Sequence, residues 1–321
     1  MLYRVTKIFA RAAIHFYCRD IAVNKKEFLK TNGPLLLAAN HPNSFLDAII
    51  LCTLFDKPVY SLARGDAFKN KTAGSILYKL KMLPVYRVSE GVENLDENYK
   101  TFDACKKIFK QNGIVLIFSE GRCINEWHLR PLKKGTARLA ISSWEDGIDL
   151  KVLPVGINYN SFKKTGKNVK LFFGEPITEN TIDYKDSHGK SIKAFNDKLE
   201  EQLKSFVFEI GADDKQKLKK HFFVPQPVFK KILLCIPAIA GLLIHAPLHF
   251  LLNFLNKKIV REEGHFDSVM VGLLLLGYPL FLFLVTAIVF CFTGSWYSLL
   301  LLPVLPFTAW AYIQLKPQLD R

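Results

Sequence analysis

Paired cysteines are missing from this chain. Its six cysteines, at positions 18, 52, 105, 123, 235 and 291, are scattered, no C-x-x-C pair occurs, and two of them lie in apolar runs. This argues against a disulfide scaffold or a zinc site and fits a reducing compartment. No G-x-S-x-G elbow is present, so nothing marks a serine nucleophile. No nucleic-acid recognition motif appears. Residues 1–20 hold no continuous apolar run long enough for a secretory leader. Negative charge is scarce: 29 acidic residues stand against 44 basic ones, a net charge of +15. That balance implies an anionic partner, whether nucleic acid, an acidic lipid surface or a phosphorylated substrate. Charge of either sign vanishes from Ile232 to Asn256 and from Ser268 to Leu315.

Those uncharged stretches organise the chain. A membrane-crossing helix needs about 20 apolar residues. The second stretch is long enough for two spans, about 269–292 and 297–313, separated at Thr293-Gly294-Ser295-Trp296-Tyr297. The first contains Pro237, Pro247, His245 and His249 and reads as a re-entrant or broken element over 232–256; a three-span arrangement is the alternative. Two or three spans both leave residues 1–231 on the cytoplasmic side; with two, the basic cluster at 215–231, the one at Lys257, Lys258 and Arg261, and Lys316 and Arg321 all fall on that side, which favours the two-span arrangement. His245 and His249 have the helical spacing of a metal pair, but no carboxylate is near, and polar residues facing a protein interior are the simpler reading. Arg4, Lys7, Arg11, His15 and Arg19 form a basic stripe, with Val5, Ile8, Phe9, Ala12 and Phe16 among the apolar residues between them. Residues 1–24 therefore read as an amphipathic helix, lying on a membrane surface or packed on its own domain. A basic linker at 211–231 joins a soluble domain at 25–210 to a membrane segment at 232–315.

Within 25–210, short β-rich runs alternate with helical periodicity. Strands are expected at 34–39, 58–62, 83–88, 113–118, 151–157 and 169–173, and helices at 45–55, 71–81, 96–112, 134–145 and 191–208. The alternation predicts an α/β fold with a mixed, mostly parallel sheet flanked by helices. Functional residues in such sheets gather beyond the carboxyl ends of the strands. Here those ends deliver Asn40-His41, Arg87, Ser119-Glu120-Gly121-Arg122 and Asn158. His41 is followed by Asp47, the spacing of a base and an orienting carboxylate. Ser44 and Asp47 also fit S-x-x-[DE], a helix-capping box, and on local spacing alone that is the simpler reading.

Four blocks together carry a resemblance. They are Asn40-His41…Phe45-Leu46-Asp47; Ala63-Arg64-Gly65-Asp66-Ala67-Phe68 with Leu83-Pro84-Val85-Tyr86-Arg87; Ile117-Phe118-Ser119-Glu120-Gly121-Arg122 with Leu129-Arg130-Pro131-Leu132-Lys133-Lys134-Gly135-Thr136; and Leu153-Pro154-Val155-Gly156-Ile157. In this order, over roughly residues 35–176, they resemble the glycerolipid acyltransferase family, whose members acylate glycerol 3-phosphate or 1-acylglycerol 3-phosphate. The chain departs from the family pattern. Five residues separate His41 from Asp47 where four are usual. Ser119 replaces a proline, Arg122 stands where threonine or glycine is usual, and Cys123 where arginine is usual.

The resemblance implies a membrane-bound acyltransferase of phospholipid biosynthesis, moving a fatty acyl group from a thioester to a hydroxyl of a glycerol-phosphate acceptor. His41 would be the general base and Asp47 its orienting partner, with the substrate's own hydroxyl as nucleophile. Arg87, Arg122, Arg130 and Lys133 would be phosphate-binding candidates, with Glu120 and Gly121 helping to hold the acceptor. Acyl-CoA or acyl carrier protein would serve as co-substrate, with no further cofactor and no metal. The partners implied are the glycerol-phosphate lipid and the bilayer, not nucleic acid. The chain is then an integral membrane protein with its catalytic domain facing the cytoplasm. An inactive relative that binds lipid or anchors a partner is the competing reading.

Overall fold

The computed structural model describes residues 1–86, 97–182, 187–211, 213–260 and 263–319. Helix α1 (Leu2–Tyr17) leads into strand β1 (Cys18–Val23). The body follows as β2 (Leu35–Ala39), α2 (Phe45–Leu54), β3 (Val59–Arg64), α3 (Lys71–Lys79), β4 (Met82–Val85), α4 (Glu97–Lys110), β5 (Ile114–Phe118), α5 (Gly135–Glu145), β6 (Lys151–Tyr159), β7 (Lys167–Phe173) and α6 (His188–Phe206). The last third is helical: α7 (Lys215–Phe222), α8 (Val228–Ile259), α9 (Phe266–Thr293) and α10 (Leu301–Leu315).

The fold class matches expectation. Seven strands form one mixed, mostly parallel sheet in the order β1-β7-β6-β2-β5-β3-β4. Strand β2 pairs in parallel with β5 and β6, and β3 with β5 and β4. All five residues of β2 are buried, as a central parallel strand covered on both faces requires. Leu36, Ala38, Val115, Ile117, Phe109, Ala140, Trp144, Phe195 and Leu199 belong to the core cluster on the flanking helices and the sheet.

The chain divides into two compact units. The first comprises residues 1–8, 23–158 and 170–212 and contains the central strands. The second comprises 9–22, 159–169 and 213–321. Among the described residues of the second unit, three helices are long and apolar enough to cross a membrane: Val228–Ile259, Phe266–Thr293 and Trp296–Leu315. Helix α8 meets α10 through Leu234, Ala238 and Ala311, and a Cβ on Gly241 would fall 2.1 Å from the Thr308 carbonyl oxygen. Backbones approach that closely only where the side chain is absent. The second unit also buries an ionic triad. Lys167 Nζ lies 2.6 Å from Asp267 Oδ2, both side chains fully buried, and Tyr17 donates its hydroxyl to Asp267. A buried pair of this kind is tolerated when its partners are fully hydrogen-bonded.

Two sequence expectations need correction. Residues 1–24 are not one helix: α1 ends at Tyr17 and Cys18–Val23 is a strand beside β7. Arg19 leaves the basic stripe. It is buried, and its Nε donates to the Ile313 and Gln314 carbonyls at 3.2 and 3.3 Å, at the end of α10. A guanidinium there satisfies carbonyls that the helix itself leaves open. The stretch 232–256 is not broken either. Helix α8 runs through Pro237 and Pro247 as one element. Each proline removes a single ladder bond, and a helix of 32 residues packed along α10 keeps the others. His245 and His249 do not face a common ligand: His245 contacts the Gly241 carbonyl at 2.9 Å and the Tyr278 hydroxyl at 3.2 Å, while His249 pairs with Asn253 at 2.9 Å.

Candidate active site

Register brings the site together. Ala39 pairs with Phe118 on one side and with Val155 on the other, so β2, β5 and β6 release their chains at one level. Two residues on, His41 and Glu120 stand side by side. The His41 N–H donates to Glu120 Oε2 at 2.8 Å. On the other side of β2, Asn40 clamps it to β6: its Nδ2 donates to the Ile157 carbonyl at 3.0 Å and its Oδ1 accepts the Ile157 N–H at 2.7 Å.

His41 and Asp47 meet. Nδ1 lies 2.9 Å from Asp47 Oδ2. The carboxylate is fully buried and also accepts the Asn43 N–H at 2.8 Å. Ser44 stands at the N-cap of α2, yet its side chain makes no cap bond. The capping-box reading therefore gives way to a turn built around the aspartate. The extra residue between His41 and Asp47 is absorbed in this turn, where Ser44 takes φ 51 and ψ −136, a conformation rare outside glycine. The imidazole lies flat on the Phe118 ring, with centroids 3.7 Å apart and planes 11° from parallel. Packed on one face and tied at Nδ1, the ring keeps Nε2 as the nitrogen for other work.

Glu120 is buried, and burial raises its pKa to about 7, against the opposing pull of the N–H groups of Arg130 and His41. Its Oε1 accepts the Arg130 N–H at 2.9 Å. The carboxylate thus spans two backbone amides, one on each side of the site. Gly121 follows at φ 65, and a Cβ there would fall 3.0 Å from Lys133 Cγ. Only glycine takes that turn without strain. Lys133 folds over it, its own N–H donating to the Ser119 carbonyl at 2.7 Å, and its side chain is exposed.

The cationic candidates separate. Arg122 is exposed and has no hydrogen bond or ion pair among the described residues. Arg130 is engaged: its guanidinium pairs with Glu126 at 2.8 Å. Arg87 lies outside the described residues; Tyr86, just before it, is held by Asn98 at both backbone groups, at 2.8 and 2.9 Å. Asn158 is turned elsewhere, bridging the Phe206 carbonyl and the Phe208 N–H, each at 2.9 Å.

Two participants escaped the sequence reading. Phe118 looked like the last residue of a buried strand, and nothing marks an imidazole on its face. Cys123 looked like a plain departure, yet its Sγ accepts the Ser44 N–H at 2.9 Å.

Residues 20–158 match the family model described as Acyltransferase. The chain is 28% identical over 158 residues to the 1-acyl-sn-glycerol-3-phosphate acyltransferase of Bacillus subtilis (strain 168), covering 49% of this chain and 73% of that protein. Among solved structures, the 1-acyl-sn-glycerophosphate (LPA) acyltransferase PlsC from Thermotoga maritima aligns with a TM-score of 0.48 and 17% identity, over 69% of this chain and 81% of that chain.

Proposed function

From the match of residues 20–158 to the family model described as Acyltransferase, we propose that this chain transfers a fatty acyl group from acyl-CoA or acyl carrier protein to a hydroxyl of a glycerol-phosphate acceptor, with His41 as the general base. The observation that carries the reading is the His41–Asp47 contact at 2.9 Å, with the aspartate fully buried. An alcohol is a weak nucleophile at neutral pH, so its proton must leave as the new bond forms. His41 Nε2 takes that proton while the oxygen attacks the thioester carbonyl carbon. The tetrahedral intermediate then expels the thiolate, and the imidazolium returns the proton to sulfur. Asp47 holds the Nδ1–H tautomer and offsets the charge of the imidazolium. Positioned base catalysis of this kind contributes about 10²–10⁴-fold.

The acceptor's phosphate needs cations at the rim. Arg122 and Lys133, exposed beside Gly121, are the described candidates, and Arg87 adds a third from outside the described residues. Arginine suits this role because its fork binds two phosphate oxygens at once. The lipid product would leave into the bilayer, which three helices are long and apolar enough to cross. Residues 1–231 then face the cytoplasm, where the lysines of 215–231 favour them. Exposed Leu2, Val5, Ile8 and Phe9 on α1 suit a membrane surface.

The test is an assay of purified protein with a labelled acyl thioester and a panel of acceptors that includes glycerol 3-phosphate and 1-acylglycerol 3-phosphate. His41→Ala should abolish transfer while membrane insertion persists. Transfer that survives the substitution removes His41 as the base, and a wild-type chain inert toward every acceptor favours the lipid-binding relative.

A further inference from the structure

The chain's two departures from its family's pattern touch each other. One is the extra residue between His41 and Asp47, and the other is the thiol at position 123. The extra residue leaves Ser44 at φ 51, and the Ser44 N–H points to Cys123 Sγ at 2.9 Å. The next residue, Ile124, donates its N–H to the His41 carbonyl at 3.4 Å. The Cys123-Ile124 segment therefore runs along the turn and holds it at Ser44 and at His41. Asp47 grips the same turn from inside through the Asn43 N–H.

We propose that Cys123 is a positioning residue for His41: its sulfur holds the expanded turn in the conformation that keeps the imidazole against Asp47. This rests on the reading of His41 as the base. The chemistry of the two side chains supports it. A non-glycine residue in this backbone region is strained and persists only where its surroundings over-determine it. A partly enclosed N–H also requires an acceptor. An arginine, the residue usual at this position, carries five donors and no acceptor, so it has nothing to offer the Ser44 N–H. A thiol is small and accepts. The thiol and the longer turn are thus one adaptation rather than two.

Three variants test it, read both by kinetics and by NMR of the His41 ring, whose signals are assigned by their loss in His41→Ala. Cys123→Ala should lower kcat about 10-fold to 100-fold, the scale of a slightly misplaced base, with the acceptor KM within about twofold. The His41 ring signals should shift away from the Nδ1–H tautomer. Cys123→Ser should restore both readouts, since a hydroxyl oxygen accepts the same N–H. Ser44→Gly combined with Cys123→Ala should also recover rate, because glycine takes φ 51 without strain. An unchanged kcat and unchanged ring signals in Cys123→Ala overturn the proposal. So does a loss that tracks thermal stability and resists both rescues. If the wild-type chain transfers no acyl group, the base reading fails, but the NMR comparison still decides whether Cys123 sets the His41–Asp47 geometry.

Discussion

At the scale of residues, two carboxylates at the site do different work because their surroundings differ. Asp47 faces an imidazole and a backbone amide, whereas Glu120 spans two amides under cover. Asp47→Asn puts an amide where the Nδ1–H needs an acceptor, and it should lower kcat by at least ~10²-fold with little change in acceptor KM; steady-state kinetics at saturating donor would show it. Glu120 makes a prediction about pH. Its pKa rises on folding from 4.5 to about 7, mainly through burial. The folded state therefore holds a proton that the unfolded chain has already lost. Its stabilising contribution is complete below pH 4.5 and is lost as pH rises through about 7. Melting temperature should accordingly fall across that window, and Glu120→Gln, which cannot ionise, should flatten this part of the profile. A Glu120→Gln melting curve parallel to wild type from acid to neutral pH would refute the assignment. His41 and Asp47 were legible from sequence because polar residues after a buried strand stand out. Phe118 was not, because its stacking on His41 follows from the pairing of Ala39 with Phe118, a fact of register.

At the scale of elements, the parallel strands were readable from their apolar runs, while β1 and the continuity of α8 were not. Cys18–Val23 follows a helix with no break in its basic spacing, and pairing beside β7 decides its conformation. The two prolines of α8 argue locally for a break, and the packing of α8 on α10 overrides them. That packing turns on Gly241, whose missing Cβ makes room for the Thr308 carbonyl. Gly241→Val should push the two helices apart. Reduced thermal stability in detergent, and loss of cysteine crosslinks engineered between α8 and α10, would report it. The His41 ring signals give the control, since the bonds of His41 to Glu120 and Asp47, and of Asp47 to Asn43, lie within residues 23–158.

At the scale of the whole molecule, charge and hydropathy govern where the chemistry happens. A net charge of +15 favours contact with anionic surfaces, and on the proposed reading those are acidic lipid and phosphate-bearing substrates. In vesicles containing anionic lipid, transfer should slow as added salt shortens the screening length from about 30 Å to about 10 Å, and less so in neutral vesicles; equal salt sensitivity in both would assign the effect to the substrate instead. The sequence by itself determined the sheet class, the apolar stretches and the cationic balance, because periodicity and composition are local records of burial and charge; the order of the motifs singled out His41 and Asp47 where local spacing alone favoured a helix cap. Tertiary structure decided the rest. It set the conformation of the five-residue turn, the flat seat of the imidazole on Phe118, the two amides held by Glu120, and the thiol under Ser44. The turn is local, but the other three join segments distant in the chain, and only strand register and the packing of loops at the strands' carboxyl ends bring those segments into contact.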